Sequence, residues 1–201
     1  MLKILCAPRL GENGSTAAYS LLEQLYLTEY GGDLPDIKKT PNGKPYFPGR
    51  VGIFFSISHA RTHVLCALSD KPVGADIESP RHLSERVVRF FCSPEELSLF
   101  DPLDLWVLKE SYIKLIGGTL PLVKKLRFSR RSDEPSDTDQ KAGAHDFREK
   151  TMPPDLYMQN NSSKIFIPSD SLCSSRLYRI GDCRAAVSTY GGELPDTIDV
   201  L

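Results

Sequence analysis

The run Val73-Gly74-Ala75-Asp76-Ile77-Glu78 constrains this chain more than any other stretch. It is apolar apart from two carboxylates set two positions apart. Side chains alternate along a strand, so Asp76 and Glu78 leave the same face. A second stretch, Trp106 to Lys114, has helical spacing, with Trp106, Glu110 and Lys114 each one turn from the next. The two stretches supply three carboxylates and an ammonium, a set suited to a hard divalent cation and an anionic substrate.

At 201 residues the chain is long enough to bury a sizeable core. A formal net charge of -1 excludes reading the whole chain as a nucleic-acid binder on electrostatic grounds, while a local basic patch stays open. No apolar run approaches bilayer length, and Met1 to Pro8 is too short for a signal peptide, so no membrane association and a cytoplasmic location are expected. Cys6, Cys66, Cys92, Cys173 and Cys183 have no metal or redox spacing and read as reduced thiols, several of them buried.

The pattern predicts a strand at Leu2 to Ala7, then a helix capped by Ser15, running towards Tyr30 and stopped by Gly31-Gly32. Asp33 to Pro48 reads as mostly turn. Short strands are expected at Val51 to Ile57, His63 to Leu68 and Pro72 to Ile77. Helical patterns follow at Ser84 to Phe91, Ser93 to Phe100 and Leu103 to Ile116, the second opening on Ser93-Pro94-Glu95-Glu96. Leu120 to Phe128 reads as a strand. Ser129 to Ser163 is polar and reads as an exposed insertion. Strand character returns at Lys164 to Pro168 and at Leu177 to Tyr190, with a hairpin turn at Ile180 to Cys183. The tail from Gly191 reads as loose. The order gives an α+β fold with antiparallel sheets.

Three segments in sequence resemble the 4'-phosphopantetheinyl transferase superfamily. They are Asn42-Gly43-Lys44-Pro45-Tyr46, then Phe55-Ser56-Ile57-Ser58-His59 leading into Val73 to Glu78, and Trp106 to Lys114 with Gly117. Each alone is weak, but the three in order are specific. The resemblance covers about Asn42 to Leu122, and the C-terminal strands loosely. The length is similar to the surfactin-type branch, in which one chain contains two similar halves.

That resemblance implies two α/β halves about a pseudo-twofold axis, residues 1-70 and 71-201, with the active site between them and a polar insertion at about 129-163. It implies a monomer that moves 4'-phosphopantetheine from coenzyme A to a serine of an acyl or peptidyl carrier protein and releases adenosine 3',5'-bisphosphate. Asp76, Glu78 and Glu110 match the family's Mg2+ carboxylates. Lys114 matches the lysine facing the reacting phosphate. Glu95 falls where the branch carries a proposed general base, although it equally suits a helix first turn. Gly43, Lys44 and Pro45 match the segment along the coenzyme's adenine end, where the lysine adds charge. Ser58 and His59 match a phosphate-binding pair. Trp106 reads as core packing, and Lys109 as a phosphate contact or a solvated helix residue.

The chain departs from the family in that Ser15 to Tyr30 has no Lys or Arg, which leaves Arg9, Lys38 and Lys39 as candidates for the coenzyme's 3'-phosphate. Phe90, Phe91, Leu97 and Leu99, most of them expected in the core, and Arg81, Arg86 and Arg89 are candidates for a carrier-binding surface. Two other readings compete: a carrier-protein-binding module with reduced catalysis, and another Mg2+-dependent enzyme acting on a phosphoanhydride. No Gly-x-x-x-x-Gly-Lys-Ser/Thr loop supports the last.

Overall fold

The computed structural model describes residues 1–11, 13–130, 165–167 and 170–201. Two antiparallel-based sheets and two long helices organise them. The first sheet has the order β11-β1-β5-β4, with β1 Leu2–Pro8, β4 Phe54–His59, β5 His63–Ser69 and β11 Asp199–Val200. The second has the order β6-β10-β9-β8-β7, with β6 Val73–Glu78, β7 Ser129–Arg130, β8 Ile165–Ile167, β9 Asp170–Ile180 and β10 Cys183–Tyr190. A two-strand ladder, β2 Lys38–Lys39 with β3 Pro45–Tyr46, stands apart.

Helix α1, Gly14–Tyr30, buries Ala18, Leu21, Leu22, Leu25 and Tyr26, an i, i+3, i+4 stripe facing Phe55, Val64, Cys66 and Leu68 of the first sheet. Its cap is Asn13, whose side chain accepts from the Ser15 backbone N–H at 2.9 Å, not Ser15 itself. Two short helices, α2 Glu85–Phe91 and α3 Pro94–Leu97, lead to α4, Pro102–Ile116. Asp101 caps α4 with Pro102 in the first turn, and Gly117 closes it in the left-handed region. This helix is buried on most of its circumference, with Leu105, Val107 and Leu108 fully covered.

The two sheets meet edge to edge. The N–H groups of Ala75 and Ile77 on β6 donate to the hydroxyls of Ser56 and Ser58 on β4, at 2.9 and 3.3 Å. Serine side chains thus satisfy backbone donors that a bare sheet edge would leave open. On the other side of β6, α4 presses so close that a Cβ on Gly74 would lie 2.0 Å from the Ser111 carbonyl oxygen. Only glycine allows that approach, and it brings the helix that carries Glu110 and Lys114 onto the strand that carries Asp76.

Several elements differ from expectation. Leu120–Lys124 is a 3-10 helix rather than a strand; Pro121 suits its first turn and cannot donate to a ladder. The helix expected over Ser93 to Phe100 ends at Leu97, and the first strand of the β4 region starts at Phe54, after the glycine of Val51-Gly52. The tail is not loose at its end: Asp199–Val200 pairs in parallel with β1, and Leu194 and Ile198 pack on the core. Of the polar stretch, Ser129–Arg130 is strand β7, and 131–163 lies outside the described residues. All five cysteines are free thiols, and Cys92 alone is not buried.

Candidate active site

Asp76 on β6 is 6 % exposed, and its Oδ1 is shared. Lys114 Nζ donates to it at 2.7 Å, and Ser58 Oγ donates to it at 2.8 Å. Lys114 Nζ also donates to Ser58 Oγ at 3.0 Å. With the Ile77 N–H as a second donor, the one donor and two acceptor positions of the Ser58 hydroxyl are all in use. The other Asp76 oxygen, Oδ2, is buried with no hydrogen-bond partner.

Glu78 leaves the same face as Asp76. Its Oε1 accepts from Trp106 Nε1 and from Arg81, both at 3.0 Å. Trp106 also packs against Phe91 with ring centroids 5.1 Å apart, and Arg81 lies over its indole at 5.6 Å. The residue expected to serve packing therefore does so and also holds a carboxylate. Burial, then Asp76, raise the Glu78 carboxyl, against Arg81 and Trp106. Glu110 is pushed up to about 7 by burial first and the Asp76 charge next, with Lys114 opposing.

A cavity of about 720 Å³ opens beside these groups, lined by Glu110, Lys114, Ser58, His59, Gly43, Lys44 and Pro45. Ser15, Tyr19 and Lys39 contribute further wall, Lys39 being a basic candidate from the sequence and Tyr19 a residue that no motif singled out. A helix pattern says which side of α1 is buried, but not that its start opens onto a cleft. His59 sits against the first residue of α1: a Cβ on Gly14 would lie 2.6 Å from its ring.

Several expected residues are placed differently. Lys109 is fully buried and is neither solvated nor aimed at the cavity. Its ammonium donates to Glu96 Oε2 at 2.9 Å, to the Leu126 carbonyl at 3.0 Å and to the Phe91 carbonyl. Lys44 lines the cavity but turns its amine onto the Leu115 carbonyl at 2.6 Å, and burial lowers it to about 8. Phe91 is core, whereas Phe90, Leu97 and Leu99 are exposed. Glu95 is exposed on α3 and is not among the residues lining the cavity; Ser93 holds its carboxyl below the usual range. The neighbouring Glu96 is the buried partner of Lys109.

The donor set fits a hard divalent cation. Beyond burial, Asp76 and Glu78 on the strand each raise the Glu110 carboxyl on the helix, with Lys114 opposing, and one Asp76 oxygen is orphaned. Among the described residues no three His, Cys, Asp or Glu side chains are gathered as a ready cage. A small cation that keeps water and takes phosphate oxygens does not need one.

A family pattern, the 4'-phosphopantetheinyl transferase superfamily, matches residues 72–160. The chain resembles the surfactin-type members of that superfamily. A 4'-phosphopantetheinyl transferase of Bacillus subtilis is 36% identical over 90 residues, 40% of each chain. The 4'-phosphopantetheinyl transferase Sfp of Bacillus subtilis (strain 168) is 32% identical over 114 residues, 51% of each. The 4'-phosphopantetheinyl transferase gsp of Aneurinibacillus migulanus is 34% identical over 122 residues, 52% of this chain and 51% of its own. The chain thus aligns with about half the length of these relatives or less. The matched superfamily segment contains Asp76, Glu78, Glu110 and Lys114, the groups whose geometry is given above. No helix among the described residues is long and apolar enough to cross a membrane.

Proposed function

We propose that this chain transfers the 4'-phosphopantetheine group from coenzyme A to a serine hydroxyl of an acyl or peptidyl carrier protein. The observation that carries this reading is the meeting of Glu110, Lys114 and the Asn42-to-Pro45 turn in one cavity, with Asp76 bound to Lys114. In the transfer, the serine oxygen forms a bond to the phosphorus of the pantetheine arm. The pyrophosphate bond breaks, adenosine 3',5'-bisphosphate leaves, and the serine proton passes to a base.

Asp76, Glu78 and Glu110 would hold Mg2+. When bound, the ion supplies charge neutralisation and a template for pyrophosphate oxygens. Lys114 places its ammonium towards the reacting phosphate, where it offsets developing charge. His59 contributes a ring donor to a coenzyme phosphate. Glu95, ionised near neutral pH, is the proposed acceptor of the serine proton, reaching it as the carrier docks. Phe90, Leu97 and Leu99 would meet an apolar carrier helix, with Arg86 and Arg89 giving steering charge.

Strand orders support a two-half reading with a boundary near residue 70. In the first sheet β1 pairs with β5, and β5 with β4; in the second β6 pairs with β10, and β10 with β9. In each, a strand precedes a long helix, and a later hairpin returns its second strand to the first. We place the site between these halves, in a monomer acting in the cytoplasm. Intact-mass spectrometry of apo carrier proteins incubated with coenzyme A and Mg2+ tests the reading. One phosphopantetheine mass should be added; no addition to a panel of acyl and peptidyl carriers would refute it.

A further inference from the structure

The last turn of a helix leaves carbonyl groups without intrahelical partners. At the end of α4, Gly117 and Gly118 both send their N–H groups to the Ile113 carbonyl, the latter at 2.9 Å. Two carbonyls beyond it are met from a distant part of the chain. Lys44 Nζ donates to the Leu115 carbonyl at 2.6 Å, and Asn42 Nδ2 donates to the Gly117 carbonyl at 2.9 Å. A lysine ammonium at this end also opposes the partial negative charge of the helix.

The segment that reaches across is a tight turn. Gly43 N–H donates to the Thr40 carbonyl at 2.8 Å, Thr40 N–H to the Lys44 carbonyl at 2.9 Å, and Lys44 N–H to Thr40 Oγ1 at 3.1 Å. Gly43 has φ +87°, a backbone that a side chain resists. A turn held this way delivers both donors together. The same turn lines the cavity, and Leu115 directly follows Lys114 in the chain.

We propose that Asn42 and Lys44 are positioning residues: they cap α4 from outside the helix and couple the cavity-lining turn to Lys114. Lys44 acts through a helix carbonyl rather than as an anion ligand, which departs from the role that the motif suggests. A ligand that orders the turn thereby orders the end of the helix bearing Lys114 and Glu110. The kinetic consequence rests on the transferase reading; the structural one does not.

Two measurements on the full chain test this. In hydrogen exchange, Lys44→Met and Asn42→Ala should each speed exchange of the Gly117 and Gly118 amides about tenfold, with β5 amides unchanged and Lys44→Arg near wild type. Unchanged exchange at those two amides would overturn the proposal, even in a protein that transfers nothing. In steady-state transfer, Lys44→Met should lower kcat about tenfold with coenzyme KM within about twofold. In a Lys114→Met background the same change should cost less than about twofold more. A rise in KM with kcat unchanged, or a full undiminished loss in that background, would overturn it. Failure of the wild type to modify any carrier would refute the transferase reading alone, leaving the exchange result to decide this one.

Discussion

Lys114 Nζ lies 2.7 Å from Asp76 Oδ1, so a helix ammonium sits on a buried strand carboxylate at the edge of the cavity. One lysine is thus the counterion of a carboxylate in the proposed metal site and also lines the cavity proposed to take the phosphate. The pairing depends on Gly74, which lets α4 close onto β6, and on Ser58, which binds both partners.

Replacing Lys114 by Met removes the charge and keeps the stem. Transfer should fall by roughly 100-fold or more, as when a charge-stabilising donor is lost from a catalytic site. Mg2+ should bind more tightly without coenzyme, because no ammonium competes for Asp76. Isothermal titration of Mg2+ into wild type and Lys114→Met checks the second effect; weaker binding in the variant would contradict the pairing.

Glu110 gives the metal-free protein a pH-dependent stability. Its carboxyl rises from 4.5 to about 7, chiefly through burial. The folded state therefore holds a proton that the unfolded state has lost. This contribution is complete below about pH 4.5 and disappears as pH rises through 7; the full shift corresponds to about 3.4 kcal/mol, which solvent screening of the partly exposed group reduces to roughly 2–3 kcal/mol. Metal-free Tm should fall by roughly 5 °C between pH 5 and 8, and Glu110→Gln should flatten that fall. Calorimetric scans across the range measure it.

Trp106 is the only tryptophan in the chain, and its indole N–H donates to Glu78 Oε1 at 3.0 Å. Its fluorescence is a natural reporter of that carboxylate. Titration with Mg2+ should shift its emission saturably, and Glu78→Ala should abolish the shift while the protein stays folded by circular dichroism.

The buried pair of Lys109 and Glu96 calls for a stability effect. Lys109→Met leaves the Glu96 carboxyl buried at 2 % exposure without its ammonium partner, at a cost of about 3–5 kcal/mol. Urea unfolding should show that loss, and Lys109→Met combined with Glu96→Gln should recover part of it.

The sequence made some of this legible and concealed the rest for definable reasons. The alternation in Val73 to Glu78 and the turn spacing of Glu110 and Lys114 are periodic, and the fold keeps both. Lys109 and Lys114 lie on one helix, and only the packing of Phe91, Glu96 and the Leu126 carbonyl decides that the first is sealed inside. Glu95 and Glu96 are equally good first-turn residues; the capping box of Ser93 turns Glu96 inward and leaves Glu95 exposed. Leu120 to Phe128 had the apolar content of a strand, but Pro121 and the neighbouring glycines favour a 3-10 turn. The docking of the tail on β1 is a long-range pairing of two residues, too short to leave a pattern.

The most direct test of the central claim couples product to site. Wild-type protein, coenzyme A, Mg2+ and an apo carrier should release one equivalent of adenosine 3',5'-bisphosphate per carrier modified, followed by anion-exchange chromatography. Glu110→Gln, folded by circular dichroism, should release none. Equal release by the variant, or carrier modification without the bisphosphate, would contradict the assignment of Asp76, Glu110 and Lys114 as the transferring site.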